Sequence, residues 1–223
     1  MGASSVQLDL GTAERAAQGA RGRRGAGPVE RGLAGLLLIL VCPLLAIAAL
    51  SVAALSRRSP LIAHWRVGQH GEGFWMLKIR TMWDAKAGRG AWRWIEYLPE
   101  TAVPRFKGAS DPRVISGVAA FYRRFSIDEL PQLAHVVSGR MRLIGPRPIT
   151  QAEWKEYYGE GAAEVLTAPP GLTGLWQVIG RNRLSYAQRK RLDLFYARRA
   201  GWRLDWIILR RTPLRVLSGR DAG

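Results

Sequence analysis

Between Leu33 and Leu55 the chain runs 23 residues without a charge, LAGLLLILVCPLLAIAALSVAAL. As a straight helix this run would rise about 35 Å, enough to cross a bilayer core. It is too long and begins too far into the chain for a cleavable signal peptide. Two details complicate a simple span. Pro43 falls near the middle, where it removes a backbone hydrogen bond. Both flanks are positive, with Arg21, Arg23, Arg24 and Arg31 before the run and Arg57 and Arg58 after it. The positive-inside tendency pulls both ends toward the cytoplasmic side. A helix that enters, breaks at Pro43 and returns satisfies both flanks, but proline is tolerated in spanning helices, so the residues leave both arrangements open.

The remainder is long enough for one domain with a buried core. The whole chain of 223 residues carries 34 Lys and Arg against 17 Asp and Glu, a net charge of +17 that calls for anionic partners. Nine tryptophans in so basic a chain favour a membrane surface over a nucleic-acid groove, and no motif that reads DNA or RNA is visible. The single cysteine, Cys42, lies in the apolar run, which excludes a disulfide framework or a zinc cluster within one chain.

Residues 1–30, rich in Gly, Ala and Arg, read as a disordered basic tail. Arg66 to Gly73 followed by Phe74 to Arg80 reads as a β-hairpin with a glycine-rich turn. Trp83 to Lys107 lacks periodicity and reads as an irregular insertion. Leu130, Leu133, Ala134 and Val137 fall on one helical face, and Gly139 ends that helix. Two prolines fix the backbone around Arg147 in Gly145-Pro146-Arg147-Pro148. Ile149 to Tyr158 reads as a short helix, and Pro169 to Gly174 as a rigid turn. Ser185 with Gln188 predicts a capping box opening a helix toward Ala200. Trp202, Trp206, Ile207 and Leu209 among Arg203, Arg210, Arg211 and Arg215 have the composition of an in-plane helix on anionic lipid. Periodicity supports only a mixed class of helix and strand.

The segment richest in chemistry is Arg123-Arg124-Phe125-Ser126-Ile127-Asp128-Glu129-Leu130-Pro131. The arginines can hold a phosphate, one carboxylate a divalent metal, and the other can attack phosphorus. The same letters have a plain structural reading, because Ser126 and Glu129 have capping-box spacing.

The order of the motifs decides between them. Lys78-Ile79-Arg80-Thr81-Met82, Asp111-Pro112-Arg113-Val114, the Asp128-Glu129 segment, Leu143 to Pro148 and Pro170 to Val178 follow one another along the chain. That series resembles the bacterial sugar transferase family, the monotopic phosphoglycosyl transferases, over Leu33 to Leu217. The resemblance implies an α/β fold with a small sheet. It divides the chain into a re-entrant membrane helix at 31–58, a catalytic domain at 59–217 and a C-terminal tail at 218–223. It also implies transfer of a sugar-1-phosphate from a UDP-sugar to polyprenyl (undecaprenyl) phosphate, with release of UMP, at the cytoplasmic face of the bacterial inner membrane. This would be the first membrane step of exopolysaccharide, capsule or O-antigen synthesis.

Carried onto this chain, the family pattern makes Asp128 the nucleophile of a covalent intermediate and Glu129 the ligand of Mg²⁺. Lys78, Arg123 and Arg147 become contacts to phosphate. The family's Ser-Pro helix break falls on Cys42-Pro43, which keeps the proline and loses the serine hydroxyl. Expected partners are the UDP-sugar, polyprenyl phosphate and anionic lipids, with no nucleic acid; a homodimer is left open. Asp128, near arginines at a helix start, is expected to keep a low pKa. Arg140, Arg142 and His135 depart from the family pattern, and His135 stands where asparagine is common. His64 and His70 lack metal-like spacing and read as surface or turn residues. A catalytically silent membrane-surface scaffold of a glycan pathway is the alternative, and the intact Lys78, Arg123, Asp128, Glu129 and Arg147 argue against it.

Overall fold

The structure is a computed structural model that describes residues 25–83, 93–98, 116–159 and 161–218. The Asp111 to Val114 block and most of the expected insertion lie outside these residues, as does most of the N-terminal tail. The fold is α/β, with helices around two small sheets.

Helix α1, Pro28–Ser56, begins ahead of the expected start at residue 31, with Pro28 in its first turn. The expected break at Cys42-Pro43 does not end it. Pro43 lies inside one continuous helix. What it removes is the single hydrogen bond to the carbonyl of Ile39, and the turns on either side carry the helix across. The helix buries its small residues, Ala34, Ala48 and Val52, against the rest of the protein. It turns large ones outward: Leu36, Ile39, Leu40, Ile47 and Leu50 are each 63–74% exposed. By length and composition it could cross a membrane.

The expected hairpin is present. Strands β1 (Leu61–Val67) and β2 (Gly73–Ile79) pair antiparallel, with Leu61 opposite Ile79 and Val67 opposite Gly73. Trp65 stands opposite Trp75 with the rings edge-on at 5.1 Å, a cross-strand pair that fixes the register. A short third strand, β3 (Ile95–Leu98), lies parallel to β1 inside the segment that reads as irregular. Four residues without clear alternation carry too little periodic signal for a strand to be read.

Helix α2 (Gly117–Arg124) is capped by Ser116, and a 3₁₀ turn, Ile127–Gln132, leads into α3 (Leu133–Val137). The sequence predicts one helix over Leu130 to Val137. Pro131 instead keeps the first part tight, and the buried set is Leu133, His135 and Val136. Strands β4 (Arg142–Ile144) and β5 (Gly171–Thr173) pair in parallel. Between them run α4 (Gln151–Glu153), prolonged as a wider π turn over Trp154–Tyr158, and α5 (Gly161–Val165). Then come α6 (Leu175–Ile179), α7 (Tyr186–Arg199) and α8 (Trp202–Ser218). Both bonds of the Ser185–Gln188 capping box form at the start of α7.

Two cores position the site. Ala34 of α1 packs with Phe74, Met76, Leu133, Val136 and Met141. Ala48 and Val52, farther along the same helix, pack with Ile79, Tyr122 and Ile127. Polar ties hold both ends of α1. Glu30 accepts from Arg142 Nε at 3.0 Å and from the Leu143 backbone N–H at 2.7 Å. Ser51 shares a 2.7 Å hydrogen bond with the Tyr122 hydroxyl. The departure at Arg142 is thus a structural link, which extends to Asp205 at 3.8 Å.

Candidate active site

Strand alternation delivers the first cation. Phe74 and Met76 face the α3 core, so Lys78, two residues on, projects from the same face. There it meets the 3₁₀ turn. Lys78 Nζ lies 2.8 Å from Glu129 Oε1 and 3.5 Å from Asp128 Oδ2.

Arg147 arrives from the opposite side on a rigid loop. Gly145 donates its N–H to the Thr173 carbonyl at 2.9 Å, and Gly171 donates to the Pro146 carbonyl at 2.8 Å. The two backbones pass so closely that a Cβ on Gly145 would sit 2.4 Å from the Pro169 carbonyl oxygen, and one on Gly171 2.0 Å from the Gly145 nitrogen. Only glycine fits either place. The far side of the loop is pinned where Val67 N–H reaches the Ile149 carbonyl at 2.8 Å. Arg147 Nη1 then reaches the same Glu129 Oε1 at 3.2 Å, and its guanidinium lies 5.9 Å from the centre of the Trp176 ring.

The capping box that Ser126 and Glu129 could have formed is absent. Ser126 is left-handed, with φ 55°, and caps nothing. The Glu129 carboxylate is taken by Lys78 and Arg147, while Ser126 Oγ accepts from Arg181. The structure thus brings Lys78, Asp128, Glu129 and Arg147 together. Arg123 makes no ion pair with either carboxylate among the described residues, although its charge still bears on Asp128.

The electrostatics overturn one expectation. Asp128 is buried, and burial raises its carboxyl above the ordinary range. Lys78 pulls it down, Glu129 pushes it up, and Arg123 and Arg147 pull it down less strongly. The arginines do not win because the helix start and cations act on a group already removed from water. For Glu129 burial also pushes upward. Lys78 and Arg147, helped by Arg181, outweigh it and hold this carboxyl well below the usual range. One oxygen shared by two cations explains the difference between neighbours.

Adjacent carboxylates offer hard oxygen donors, which suit a magnesium ion whose remaining positions are filled by water and substrate phosphate. Among the described residues no group of three or more His, Cys, Asp or Glu gathers. Asp128 and Glu129 could therefore supply only part of such a shell.

Other residues near the site are absent from the sequence reading. Arg181 follows Gly180 just beyond the Val178 end of the last motif block. Arg189 lies 4.6 Å over the Trp176 ring, on the helix that the Ser185 capping box announces. Asp193 is wholly buried on α7 and accepts from the Tyr158 hydroxyl at 2.7 Å. Their sequence signal is weak, because Arg181 shares its turn with Arg183, and Arg189 and Asp193 stand on one helix with Lys190 and Arg191. His70 stands in the hairpin turn as expected. His135, which departs from the family pattern, is buried, and its Nε2 accepts the Leu77 backbone N–H at 3.1 Å.

The model of the bacterial sugar transferase family matches residues 28–219, which takes in both sheets and every residue of the cluster. The chain belongs to the bacterial sugar transferase family. It is 36% identical over 193 residues to an exopolysaccharide production protein, ExoY, of Rhizobium meliloti, covering 85% of this chain and 84% of that protein. It is 40% identical over 169 residues to an undecaprenyl-phosphate galactose phosphotransferase of Salmonella typhimurium, covering 72% of this chain and 34% of that longer protein. A UDP-glucose:undecaprenyl-phosphate glucose-1-phosphate transferase of Caulobacter vibrioides is 39% identical over 150 residues, 66% of this chain and 51% of that protein. Within this family the chain is an enzyme of the phosphoglycosyl transferase kind.

Proposed function

We propose that the protein transfers a sugar-1-phosphate from a UDP-sugar to polyprenyl phosphate, releasing UMP, through a covalent intermediate on Asp128. The observation that carries this reading is the convergence of Lys78, from strand β2, and Arg147, from the loop after β4, on the Asp128-Glu129 pair. The names of the Salmonella and Caulobacter relatives point to the same chemistry.

In the first step an Asp128 carboxylate oxygen attacks the phosphorus that bears the sugar. An O–P bond forms, and the bridging P–O bond breaks with its electrons leaving on UMP. In the second step an oxygen of polyprenyl phosphate attacks the same phosphorus. The Asp128–phosphorus bond breaks and returns the carboxylate. Lys78, 3.5 Å from Asp128, favours the ionised nucleophile against the effect of burial. Lys78 and Arg147, which share one Glu129 oxygen, are placed to pass charge to the arriving diphosphate. Magnesium held by Glu129 would withdraw further charge from the diphosphate. Arg123, whose charge bears on Asp128, would add to the attraction for the same phosphates.

The test is nucleotide release by protein in nanodiscs containing polyprenyl phosphate and Mg²⁺, with a panel of UDP-sugars and Asp128→Asn alongside. Multiple-turnover UMP release that requires the lipid, beyond the single equivalent set free when Asp128 is loaded, and that is lost in the variant is the expected result. UDP release would mean that the phosphate stays behind, and the dyad mechanism would fall.

We further propose that α1 bends at Pro43 without losing its helical turns, so that it enters the membrane and returns to the cytoplasmic side. Support comes from its two ends. Glu30 near the start and Val52 near the finish are both fixed to the same catalytic domain. A span would put those ends on opposite sides of about 30 Å of hydrocarbon. The outward-facing tryptophans of α8, Trp202 and Trp206, would then meet the headgroups beside Arg203 and Arg210. Cysteines placed at residues 27 and 57, with Cys42→Ser, should both resist an impermeant thiol reagent until the membrane is permeabilised. Labelling of only one from outside would establish a span.

A further inference from the structure

Four non-glycine residues among those described adopt positive φ: Arg57, His70, Ser126 and Arg181. Such a backbone is disfavoured for any residue with a Cβ and persists where its surroundings enforce it. Two of the four have ordinary reasons. Arg57 closes α1, and His70 turns the hairpin. The other two are 55 residues apart in sequence and hydrogen-bonded to one another, Arg181 Nη2 donating to Ser126 Oγ.

Ser126 is the hinge on which the reacting carboxylates are mounted. Its N–H closes α2 on the Arg123 carbonyl at 3.1 Å, and its own carbonyl accepts the Glu129 N–H at 3.1 Å. Its φ therefore sets the direction in which Asp128 and Glu129 leave α2. No side-chain cap holds this residue from its own side of the turn. The hold comes from Arg181. That residue is itself fixed by the turn after α6, where Gly180 N–H reaches the Trp176 carbonyl at 3.1 Å and Arg183 N–H reaches the Gly180 carbonyl at 3.0 Å. Among the described residues the Arg181 guanidinium makes no ion pair with a carboxylate. Its Nη1 is buried without a hydrogen-bond partner. The acids whose charge it feels are Glu129 and Asp128.

We infer that Arg181 is a positioning residue for the transfer reaction: its hydrogen bond holds Ser126 left-handed and so sets where Asp128 and Glu129 stand relative to Lys78 and Arg147. The inference rests on the proposed transfer only for its kinetic readout. It assigns a task to the segment after α6, which would otherwise be a connection between helices.

The test compares Arg181→Ala, Ser126→Gly and the double variant in nanodiscs, reading UMP release and thermal unfolding. Arg181→Ala should lower kcat about 100-fold while the donor KM moves less than about threefold, because the groups that bind phosphate remain. Glycine adopts φ 55° without being held, so adding Ser126→Gly to Arg181→Ala should recover about tenfold of the lost kcat. An unchanged kcat, a loss confined to KM, or a double variant no better than Arg181→Ala would each overturn the assignment. Should the wild type release no UMP with any sugar, the proposed reaction falls and the clamp is judged by unfolding alone. Recovery by Ser126→Gly of at least about half the midpoint lost in Arg181→Ala then supports it, and no recovery refutes it.

Discussion

Asp128 and Asp193 are both buried aspartates whose carboxyls are raised by burial, yet among the described residues only Asp128 has a lysine ammonium within ion-pair distance. Asp128 sits on a 3₁₀ turn among charges that belong to other elements: Lys78 from β2, Arg147 from the loop after β4, and Arg123 from the end of α2. Asp193 sits inside α7 and accepts one hydrogen bond, from Tyr158, while its second oxygen is buried without a partner. The charges of Arg147 and Arg189 reach it only weakly, and its pKa is pushed up to about 7. Burial alone makes an acid expensive to ionise. It becomes useful when cations converge on it that an incoming phosphate can also recruit.

The largest effect that separates the two should be on turnover. Glu129→Gln keeps the shape and removes the charge that holds Lys78 and Arg147 together, and UMP release should fall at least about 100-fold. Asp193→Asn keeps an acceptor for Tyr158 and should leave turnover within about threefold, because no ion pair links Asp193 to the dyad. Equal losses in the two variants would erase the distinction and make Asp193 part of the machinery.

The loop that brings Arg147 to Glu129, and has no counterpart at Asp193, gives the next effect. A methyl group on Gly145 would meet the Pro169 carbonyl, which is backbone and cannot swing away. Gly145→Ala should destabilise the protein by about 3 kcal/mol, seen as a lower thermal midpoint, and reduce turnover with it. Gly32, on α1, has open space around it. Gly32→Ala should be neutral or stabilising by up to about 1 kcal/mol, the helix preference of alanine over glycine. A Gly145→Ala protein as stable as Gly32→Ala would show that the two backbones are not locked.

These contrasts show where the sequence is legible. Ordered motifs single out Lys78, Asp128, Glu129 and Arg147, and the fold then brings these four side chains together. The hairpin and the Ser185 capping box are legible because each is a local rule obeyed locally. The state of Asp128 is not, since local charge argues for a low pKa and burial, a tertiary property, raises it. The alternative use of Ser126 is hidden for the same reason. Its capping spacing is local, whereas the arginine that claims its hydroxyl is 55 residues away. The continuity of α1 through Pro43 is also beyond sequence, since proline is compatible with a break or with a helix that continues.

Asp193 carries a pH dependence that Asp193→Asn should remove. Its folded pKa of about 7 lies above the unfolded value near 3.8, so the folded protein binds the proton more tightly. The stabilisation is complete at acid pH and is lost as pH rises from about 4 to about 7. The slope cannot exceed about 1.4 kcal/mol per pH unit. Thermal midpoints measured across this window should fall more steeply in the wild type than in Asp193→Asn. Parallel curves would mean that the buried carboxyl titrates normally.

His135 provides a smaller effect of opposite sign, and so separates the burial of a base from that of an acid. Burial, with Arg140 nearby, lowers its pKa to about 4, and the neutral ring accepts the Leu77 N–H at the sheet edge. Because the unfolded chain binds this proton more readily, the contribution is complete above about pH 6.5 and is lost as pH falls toward 4. His135→Ala leaves the Leu77 N–H without its acceptor and should cost about 1–2 kcal/mol at neutral pH. His135→Asn, which brings in the residue expected from the family resemblance, retains an acceptor and has no proton to gain. It should lose less at neutral pH and be relatively more stable than the wild type near pH 5. If the two curves do not converge as pH falls, the ring binds its proton equally in the folded and unfolded protein, and burial does not lower its pKa.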